Sequence, residues 1–396
     1  IYSGDSICRF KGMLSEDTPV IVVAGGPSLE KNVEQLKEYG NRAFILAVDR
    51  VAGFLAKHDI VPHAYVTVDA EKPVDLFDVK GIDAVPWFLC TTANHQALQK
   101  ISRARLIFCS TIYSYAKELF QMCGSDLASL DNGGSVATVA VSIGMYLGSR
   151  RIILIGQDLA LSEQKIHAGG EDVDLSANED EILEVPGFYG SPVYTQVHLK
   201  SYIDFYRAYA QYHSEVTFIN ATEGGAYLQG MEHMSLADAM AAYGNTHIDG
   251  DRLMNAVPPL MEPEQQAKLT DAYHSLFSYM KKVKRMCLSA ITDMERGIRL
   301  LEQYGLEHPE LDRVERTMDE FQALYESHAG RSIIGLDIVQ SEQEALQDIL
   351  FTKEDPTEEM LRLYKKMLDY YRGIEDAAAK AVPMLEEVLH KIEDRV

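Results

Sequence analysis

The sequence has little of several residue types, and each shortage excludes a class of protein. Its 396 residues include five cysteines, one tryptophan and 37 Lys or Arg against 60 Asp or Glu, for a formal net charge of −23. So acidic a chain is a poor partner for nucleic acid, because the phosphate backbone attracts basic proteins. The cysteines are scattered without a CxxC pair, which indicates reduced thiols in a cytoplasm and disfavours a zinc site.

Long apolar runs are missing too. No apolar segment approaches the roughly 20 residues that a membrane-spanning helix requires, and the first residues lack the charged and apolar regions of a signal peptide. We therefore expect a cytoplasmic protein without a membrane span. The chain exceeds the roughly 250–300 residues that one core usually holds, so we expect two domains. Because it starts at Ile1 rather than Met, we also expect it to be a piece of a longer protein.

Short apolar runs typical of buried strands recur through the first half of the chain. They are Val20–Val23, Ala43–Val48, Ala64–Val68, Pro86–Cys90, Arg105–Cys109, Arg151–Ile155 and Val216–Ile219. Helix-length segments separate most of them, which predicts an α/β fold with a Rossmann-like, mostly parallel sheet. Ligands of such sheets bind beyond the carboxyl ends of the strands. The small or polar residues at these ends, which predict a common ligand-binding edge, are Gly25, Gly26, Asp49, Asp69, Thr91, Thr92, Ser110, Thr111, Gln157, Asp158 and Asn220.

The segment VIVVAGGPSL, residues 20–29, predicts a strand, a tight glycine loop and a helix over 29–39. Two glycines without side chains allow a ligand to lie directly on the backbone at Gly25 and Gly26. Pro27 fixes its own φ, and Ser28 is the predicted N-cap. Backbone N–H groups at a helix N-terminus attract phosphate, so we expect an anion or a nucleotide here. The alternative is a tight turn without a ligand, since the segment matches neither GxGxxG nor a P-loop.

A second glycine loop, DNGGSV at residues 131–136, precedes an apolar helix predicted over 137–147. Gly133, Gly134 and Ser135 would lie at the N-terminus of that helix, which is a second position suited to an anion. Two helix N-termini at one sheet edge suit a nucleotide phosphate. A plain capped helix is the alternative.

Carboxylates follow two of the strands. Asp158 comes directly after strand 151–155, where it can bind a sugar hydroxyl, a metal or a base, or can simply cap the next turn. Glu223, in the segment INATEGGA, stands beside two glycines that allow a close approach of the backbone to a ligand. Nothing in the sequence is a dedicated metal cage, so any Mg²⁺ would bridge a carboxylate and a phosphate.

Residues 159–199 form a long acidic segment rich in Gly, Ser and Pro, which we expect to be a lid over the ligand. The segment contains His167, His198, Tyr189 and Tyr194. Either histidine is a candidate general acid or base, because imidazole titrates near neutral pH. A structural or surface role is the alternative for each of them.

The character of the chain changes after Pro258 and Pro259. Residues 1–257 are the predicted α/β domain, and residues 258–396 are predicted to be an all-α domain with a possible role in binding the acceptor. One helical stripe consists of Met360, Tyr364, Met367, Tyr371, Ile374, Ala378, Ala381 and Leu385. Such a stripe is typical of core packing. We expect Pro383 to kink or divide this helix.

The ordered motifs GGPSL, GGSVATVAVSIGMYLGSRRIILIGQDLALS, HAGG and INATEGGA together resemble the motility accessory factor (Maf) family over residues 15–245. That resemblance implies a bacterial glycosyltransferase that attaches nonulosonic acids, pseudaminic or legionaminic, to Ser or Thr of flagellin. His167 lies in the HAGG motif of the Maf-like pattern, which favours it as the catalytic histidine.

The chain also resembles, more distantly, small bacterial sialyltransferases that use CMP-sialic acid. This resemblance implies that residues 25–28 contact the CMP part and that Ser135 contacts its phosphate. It also makes His198 the candidate base, with Tyr189 and Tyr194 assisting departure of the leaving group. The chain departs from the sialyltransferase pattern at Gly25 and Asp49, where those enzymes carry asparagine.

A third similarity, to an archaeal pterin diphosphokinase that uses ATP, covers the GGPSL and GxD elements but implies neither the lid nor the helical tail. The competing hypotheses are therefore this diphosphokinase and a non-catalytic flagellin-binding factor. The predicted catalytic residues are His167, His198, Asp158, Glu223, Tyr189 and Tyr194, and the predicted ligand-binding residues are Gly25, Gly26, Pro27, Ser28, Asp49, Asp69, Gly134, Ser135 and Gln157.

Overall fold

The computed structural model describes residues 4–111, 115–161, 182–335 and 355–394. The chain divides into two compact units, residues 1–112 with 125–261 and residues 113–124 with 262–396. The first unit holds the strands, and the second is helical. The predicted fold class, α/β with a Rossmann-like parallel sheet and a helical C-terminal region, is confirmed. None of the described helices is both long enough and apolar enough to cross a membrane.

A parallel sheet of nine strands forms the centre of the first unit as far as it is described, in the order β1-β6-β5-β4-β3-β2-β7-β10-β11, and β8 pairs with β9 in an antiparallel hairpin. The strands are β1 Asp5–Ser6, β2 Pro19–Val23, β3 Phe44–Val48, β4 Ala64–Thr67, β5 Trp87–Cys90, β6 Leu106–Cys109, β7 Arg151–Ile155, β8 Ile182–Pro186, β9 Pro192–Gln196, β10 Thr217–Asn220 and β11 Glu232–His233.

Helices connect most of the strands and make up the second unit. They are α1 Leu29–Tyr39, α2 Ala52–Lys57, α3 His95–Lys100, α4 Tyr115–Met122, α5 Val136–Tyr146, α6 Val197–Tyr212, α7 Leu236–Tyr243, α8 Gly250–Asn255, α9 Pro263–Tyr304, α10 Leu311–Glu326 and α11 Pro356–Glu393. Short 3-10 helices cover Ile7–Phe10, Asp49–Val51, Val74–Phe77 and Ile82–Ala84.

The strand order reverses between β2 and β7, and this reversal positions the site. The chain builds outward from β2 through β3, β4, β5 and β6, and then returns to add β7 on the other side of β2. Ligands of doubly wound sheets bind at this kind of switch point. The loops that start at Gly25 and Gly156 leave the sheet there. All seven strands predicted from apolar runs are present within about two residues of their predicted ends.

Helix α5 is buried around almost its whole circumference. From Val136 to Gly144 every residue is buried, and Gly144 packs directly against Val20 and Ile152. A helix that is apolar on all sides requires a covered position. This burial fixes the N-terminus of α5, at Ser135, beside the carboxyl ends of β2 and β7.

The predicted N-cap at Ser28 is wrong, and of the two effects predicted for Pro383, a kink or a division of the helix, the division is excluded. Ser28 does not cap α1, because it has helical φ and ψ and its side chain accepts no bond from the helix. Pro383 does not divide α11, which continues from Pro356 to Glu393. The missing N–H of a proline removes one bond of the helix, whereas Tyr371, Ile374 and the other buried residues of the predicted stripe remain packed in the helical unit.

An ion-pair cluster fixes the first strand to the end of the first unit. Asp5 is buried, and Arg9 and Arg105 each place a guanidinium nitrogen within 2.7 Å of its carboxylate. The backbone N–H of Leu260 donates to the same carboxylate at 2.9 Å, and Arg105 also donates to the carbonyls of Met254 and Pro258. The carboxylate thus joins segments that lie more than 250 residues apart in the sequence.

We expect Asp5→Asn to lower the free energy of unfolding of the first unit by about 3 kcal/mol, because it leaves two partly buried arginines without their counter-charge. Urea unfolding of the whole chain measures this loss. The control is Asp17→Asn, since Asp17 pairs with Arg151 at 3.5 Å but its side chain is 89% exposed; an exposed pair of this kind contributes less than about 1 kcal/mol. Equal losses of unfolding free energy in the two variants would contradict the role of Asp5 as a buried, stabilising partner of the two arginines.

Candidate functional site

A cleft opens at the carboxyl ends of β2, β3 and β7. Its cavity volume is about 160 Å³, which is smaller than the roughly 300–1,000 Å³ of most small-molecule sites. Of the sequence candidates, it is lined by Gly25, Gly26, Asp49, Ser135, Gln157 and Asp158. Arg50, Lys72, Leu199 and Tyr202 also line it. The structure therefore brings residues of four separate sequence motifs to one place.

Other predicted ligand-binding residues lie outside the walls of this cleft. Pro27 and Ser28 follow the glycine loop and turn into α1. Asp69 lies in an adjacent shallow pocket formed by Arg50 and residues 69–73. Gly134 has a φ of +92° and lies under the ring of Tyr202. These residues shape the neighbourhood of the cleft without forming its lining.

Asp158 connects the loops that follow β2, β7 and β10, each of which contains glycine. The backbone N–H of Ser28 donates to Asp158 Oδ2 at 2.9 Å, and the N–H of Ala226 donates to the Asp158 carbonyl at 2.7 Å. Asp158 is 2% exposed. Burial raises the pKa of its carboxyl above the ordinary value, and the hydrogen bonds from Ser28 and the charge of Lys31 oppose that rise. The carboxylate thus holds a partner far away in the sequence instead of capping its own turn.

Two of the glycines are required by packing of loop on loop. A Cβ at Gly26 would overlap Asp158 Oδ2 and the carbonyl oxygen of Gly156. Gly225 has a φ of +69°, and a Cβ there would overlap the backbone of Asp158. The close approach predicted for Gly26 is therefore an approach of protein to protein. Gly25 has room, since the nearest atom to its added Cβ belongs to Val51 at 3.4 Å.

The second glycine loop uses most of its donors internally. Ser135 accepts from the N–H of Thr138 in a capping box, so its predicted position at the N-terminus of the helix is confirmed. The N–H groups of Gly133 and Gly134 donate to Thr138 Oγ1 and Asn132 Oδ1 at 3.0 and 2.8 Å. The first-turn N–H groups of a helix have no acceptor within the helix. Those of Val136 and Ala137, which line the cleft, are the donors available to an anion.

Asp49 is occupied by protein partners. It is 1% exposed, and it accepts from Thr67 Oγ1 and from the N–H of Arg50, both at 2.7 Å. Lys72 Nζ lies 3.2 Å from its Oδ1. Burial raises the pKa of Asp49, and Lys72 and Thr67 oppose that rise. Sequence reasoning missed Lys72, whose only local signal is its position three residues after Asp69.

Glu223 does not line the cleft. Its φ is +55°, and its Oε1 accepts from Asn32 Nδ2 at 2.8 Å and from the N–H of Leu236 at 3.3 Å. Leu236 is the first residue of α7. This carboxylate therefore compensates a helix N-terminus and ties α1 to α7, and its predicted catalytic role stays a prediction.

The described part of the predicted lid is ordered by main-chain contacts. The β8–β9 hairpin bonds to the loop after β7 through Leu161 and Tyr194, and to the glycine loop at Gly225 through Phe188. Tyr189 is 71% exposed, and its hydroxyl donates to the Glu223 carbonyl at 2.9 Å. The sequence pattern did not reveal the hairpin.

The histidine candidates lie apart from the cleft wall or outside the described residues. His198 is exposed on the first turn of α6, and its ring centroid is 6.3 Å from that of Tyr202, which lines the cleft. Tyr194 is also exposed, on β9. His167 lies outside the described residues. The assignment of a base therefore stays a prediction.

Two buried acceptors of cleft-lining residues, Gln157 Oε1 and Asp158 Oδ1, have no partner among the described residues. Gln157 is 5% exposed, and its Oε1 is buried without a hydrogen bond. An unsatisfied buried polar atom is costly, so such an atom at a cleft wall points to a ligand that donates to it. Among the described residues there is no group of three or more His, Cys, Asp or Glu side chains arranged to hold a metal ion.

Comparison with known proteins supports the architecture. The solved structure of a Maf glycosyltransferase from Magnetospirillum magneticum AMB-1 aligns with a TM-score of 0.54 at 14% identity, covering 100% of this chain and 62% of that one. The fold resembles that of a Maf glycosyltransferase. The similarity inferred from sequence motifs is thus confirmed at the level of the fold, and the chain spans about three fifths of the length of that relative.

A second comparison points to a related fold. Residues 1–164 match the MptE-like family, described as 6-hydroxymethylpterin diphosphokinase MptE-like. The match covers β1 to β7 with their glycine loops and ends before the hairpin. A search of curated proteins finds no match.

Because Gly26 packs against Asp158, we expect Gly26→Ala to lower the free energy of unfolding by about 3 kcal/mol, as overpacking a closed contact does. Gly25→Ala is the matched control at the neighbouring position, where the added Cβ has ordinary contacts, and it should cost less than about 1 kcal/mol. Urea unfolding of both variants gives the comparison. A Gly26→Ala protein as stable as Gly25→Ala would mean that the Asp158 contact is not tight.

Proposed function

We propose that this protein is a glycosyltransferase that moves a nonulosonic acid, of the pseudaminic or legionaminic type, from a CMP donor to Ser or Thr hydroxyls of flagellin. The observation that carries the proposal is the likeness in fold to the Magnetospirillum Maf glycosyltransferase along the whole chain. That likeness continues beyond residue 164, where the match to the diphosphokinase family ends. It therefore includes the hairpin and the helical unit, which we do not expect in a diphosphokinase.

The cleft offers groups that suit this transfer. The bond to CMP is already activated, so the protein must bind the departing phosphate, stabilise positive charge on the sugar and accept a proton from the acceptor hydroxyl. The first turn of α5 presents backbone donors for a phosphate, beside the hydroxyl of Ser135. Asp158 is a carboxylate on the cleft wall that can stabilise a cationic sugar.

The unpartnered Oε1 of Gln157 suits a ligand that carries an N–H or O–H donor, such as the amino group of cytosine or a sugar hydroxyl. The acceptor base remains assigned to His198 or His167. Flagellin as the acceptor, and the helical unit as its binding part, are proposals that rest on the Maf likeness. The five cysteines, all of which are free, support a cytoplasmic location, where thiols stay reduced.

A second candidate function is diphosphate transfer from ATP, which the match over residues 1–164 favours. The two functions differ in the nucleobase of the nucleotide that they require and in their dependence on a metal ion. A diphosphokinase needs ATP with Mg²⁺, whereas the glycosyltransferase needs a cytidine nucleotide.

Calorimetric titration of the chain with CMP, CTP and ATP, each with and without Mg²⁺, separates these functions. We expect CMP and CTP to bind at least tenfold more tightly than ATP. Binding should be lost in Gly25→Leu, because that side chain would fill the cleft from a position where the backbone tolerates it. Transfer from a CMP-nonulosonate to flagellin is then the assay for activity.

The control for this titration is Gly53→Leu. Gly53 lies on α2, and its added Cβ has one neighbour, a side-chain carbon of Val79 at 3.8 Å; it does not line the cleft. It should bind CMP as the unmodified chain does. A preference for ATP with Mg²⁺ would move the assignment to the diphosphokinase, and a chain that binds neither nucleotide would favour a non-catalytic flagellin-binding factor.

A further inference from the structure

The cleft of this acidic protein contains a lysine that no sequence motif marks. The side chain of Lys72 is 11% exposed, and it lines both the cleft and the shallow pocket formed with Arg50 and Asp69. Burying an ammonium group costs free energy, which its carboxylate partners must offset. Because this cation lies where two cavities meet, it is a candidate ligand-binding group.

The ammonium group is held by a carboxylate that is itself fixed. Asp49 receives hydrogen bonds from Thr67 Oγ1 and from the backbone N–H of Arg50, both at 2.7 Å. Lys72 Nζ lies 3.2 Å from Asp49 Oδ1 and 2.9 Å from Asp69 Oδ2. The two carboxylates differ in their surroundings, since the Asp49 side chain is 1% exposed and that of Asp69 is 50% exposed.

This difference makes one of the two pairs replaceable. An ammonium group has three N–H donors, and the pairs with Asp49 and Asp69 leave one of them for a ligand. The pair with half-exposed Asp69 is worth little in water, so an anion of a bound ligand can take its place. The pair with Asp49 is buried, and it keeps the ammonium group in position while that exchange occurs.

We propose that Lys72 binds an anionic group of the ligand in this cleft, with Asp49 as its positioning residue. The inference rests on the proposed function, in which the ligand has two such groups, the phosphate of CMP and the carboxylate of the sugar acid. Asp49 therefore serves the ligand through Lys72 and does not contact it directly.

The test compares three ligands that differ by one group at a time, namely cytidine, CMP and CMP-N-acetylneuraminate. In Lys72→Met, we expect CMP or CMP-N-acetylneuraminate to bind about ten- to a hundredfold more weakly, as loss of a charge-assisted hydrogen bond implies, while cytidine binds within about twofold of the unmodified chain. A loss that is already complete with CMP assigns the phosphate. A loss seen only with the sugar nucleotide assigns the carboxylate.

Two further variants strengthen the test. Asp69→Asn removes the competing carboxylate, so the anionic ligands should bind several-fold more tightly. Lys72→Arg keeps the charge and should retain part of the affinity. Lys100→Met is the control, because Lys100 pairs with Asp78 at 2.6 Å at an exposed position away from the cleft, and it should bind all three ligands normally.

Lys72→Met leaves the carboxylate of Asp49 buried without its cationic partner and can unfold the protein. The double variant Asp49→Asn/Lys72→Met removes both charges and is measured beside it. Equal weakening of cytidine, CMP and the sugar nucleotide in a folded variant would overturn the proposal and make Lys72 a structural ion pair.

Failure of the proposed function gives a different result. If the unmodified chain binds no cytidine nucleotide, that function fails, and Lys72 is tested with inorganic diphosphate. Protection of the unmodified chain from thermal unfolding, absent in the double variant, would still support Lys72 as an anion-binding residue. Equal protection of the two proteins, or protection of neither, would overturn that role.

Discussion

The site depends on one buried hydrogen bond, from the backbone N–H of Ser28 to the carboxylate of Asp158 at 2.9 Å. It fixes the loop after β2 against the loop after β7 at the point where the strand order reverses. The carbonyl of Asp158 then holds the loop after β10 through Ala226. With these loops in place, the cleft has a floor of glycine backbone and a wall that ends at the N-terminus of α5. Loss of the carboxylate would remove the bond to the loop after β2, whereas the backbone carbonyl would still hold the loop after β10.

The cleft contains basic side chains, although the chain as a whole is strongly acidic. The protein carries a net charge of −23, yet Arg50 and Lys72 lie beside the buried Asp49. Two buried carboxylates accept hydrogen bonds from distant segments: Asp49 from Thr67 Oγ1 and Asp158 from the N–H of Ser28, while Asp158 Oδ1 has no partner among the described residues. Burial raises the pKa of both carboxyl groups, because removing a carboxylate from water costs free energy. The hydrogen bonds from Thr67, Arg50 and Ser28 offset part of that cost.

The sequence predicted those elements whose formation depends on local residue patterns. The apolar runs identified seven strands, and the small-residue segment after Ser135 identified α5. Side-chain partners were not predictable, because they depend on distant segments. Ser28 has the residue type of an N-cap, but it adopts helical φ and ψ and its side chain does not cap the helix, while its N–H donates to Asp158. Glu223 stands beside two glycines, but its carboxylate accepts from Asn32 and Leu236 and does not line the cleft. The role of Lys72 could not be predicted because it depends on Asp49, which the fold places next to it.

The cluster around Asp5 has a consequence for synthesis of the chain. A polypeptide leaves the ribosome from its N-terminus, so Asp5 emerges long before Leu260, the donor that completes its shell. Contacts of such large sequence separation form late and slowly. Until Leu260 has been synthesised, the carboxylate of Asp5 has the guanidinium groups of Arg9 and Arg105 as its partners but lacks this backbone donor. Formation of the bond from Leu260 would therefore mark the completion of the first unit.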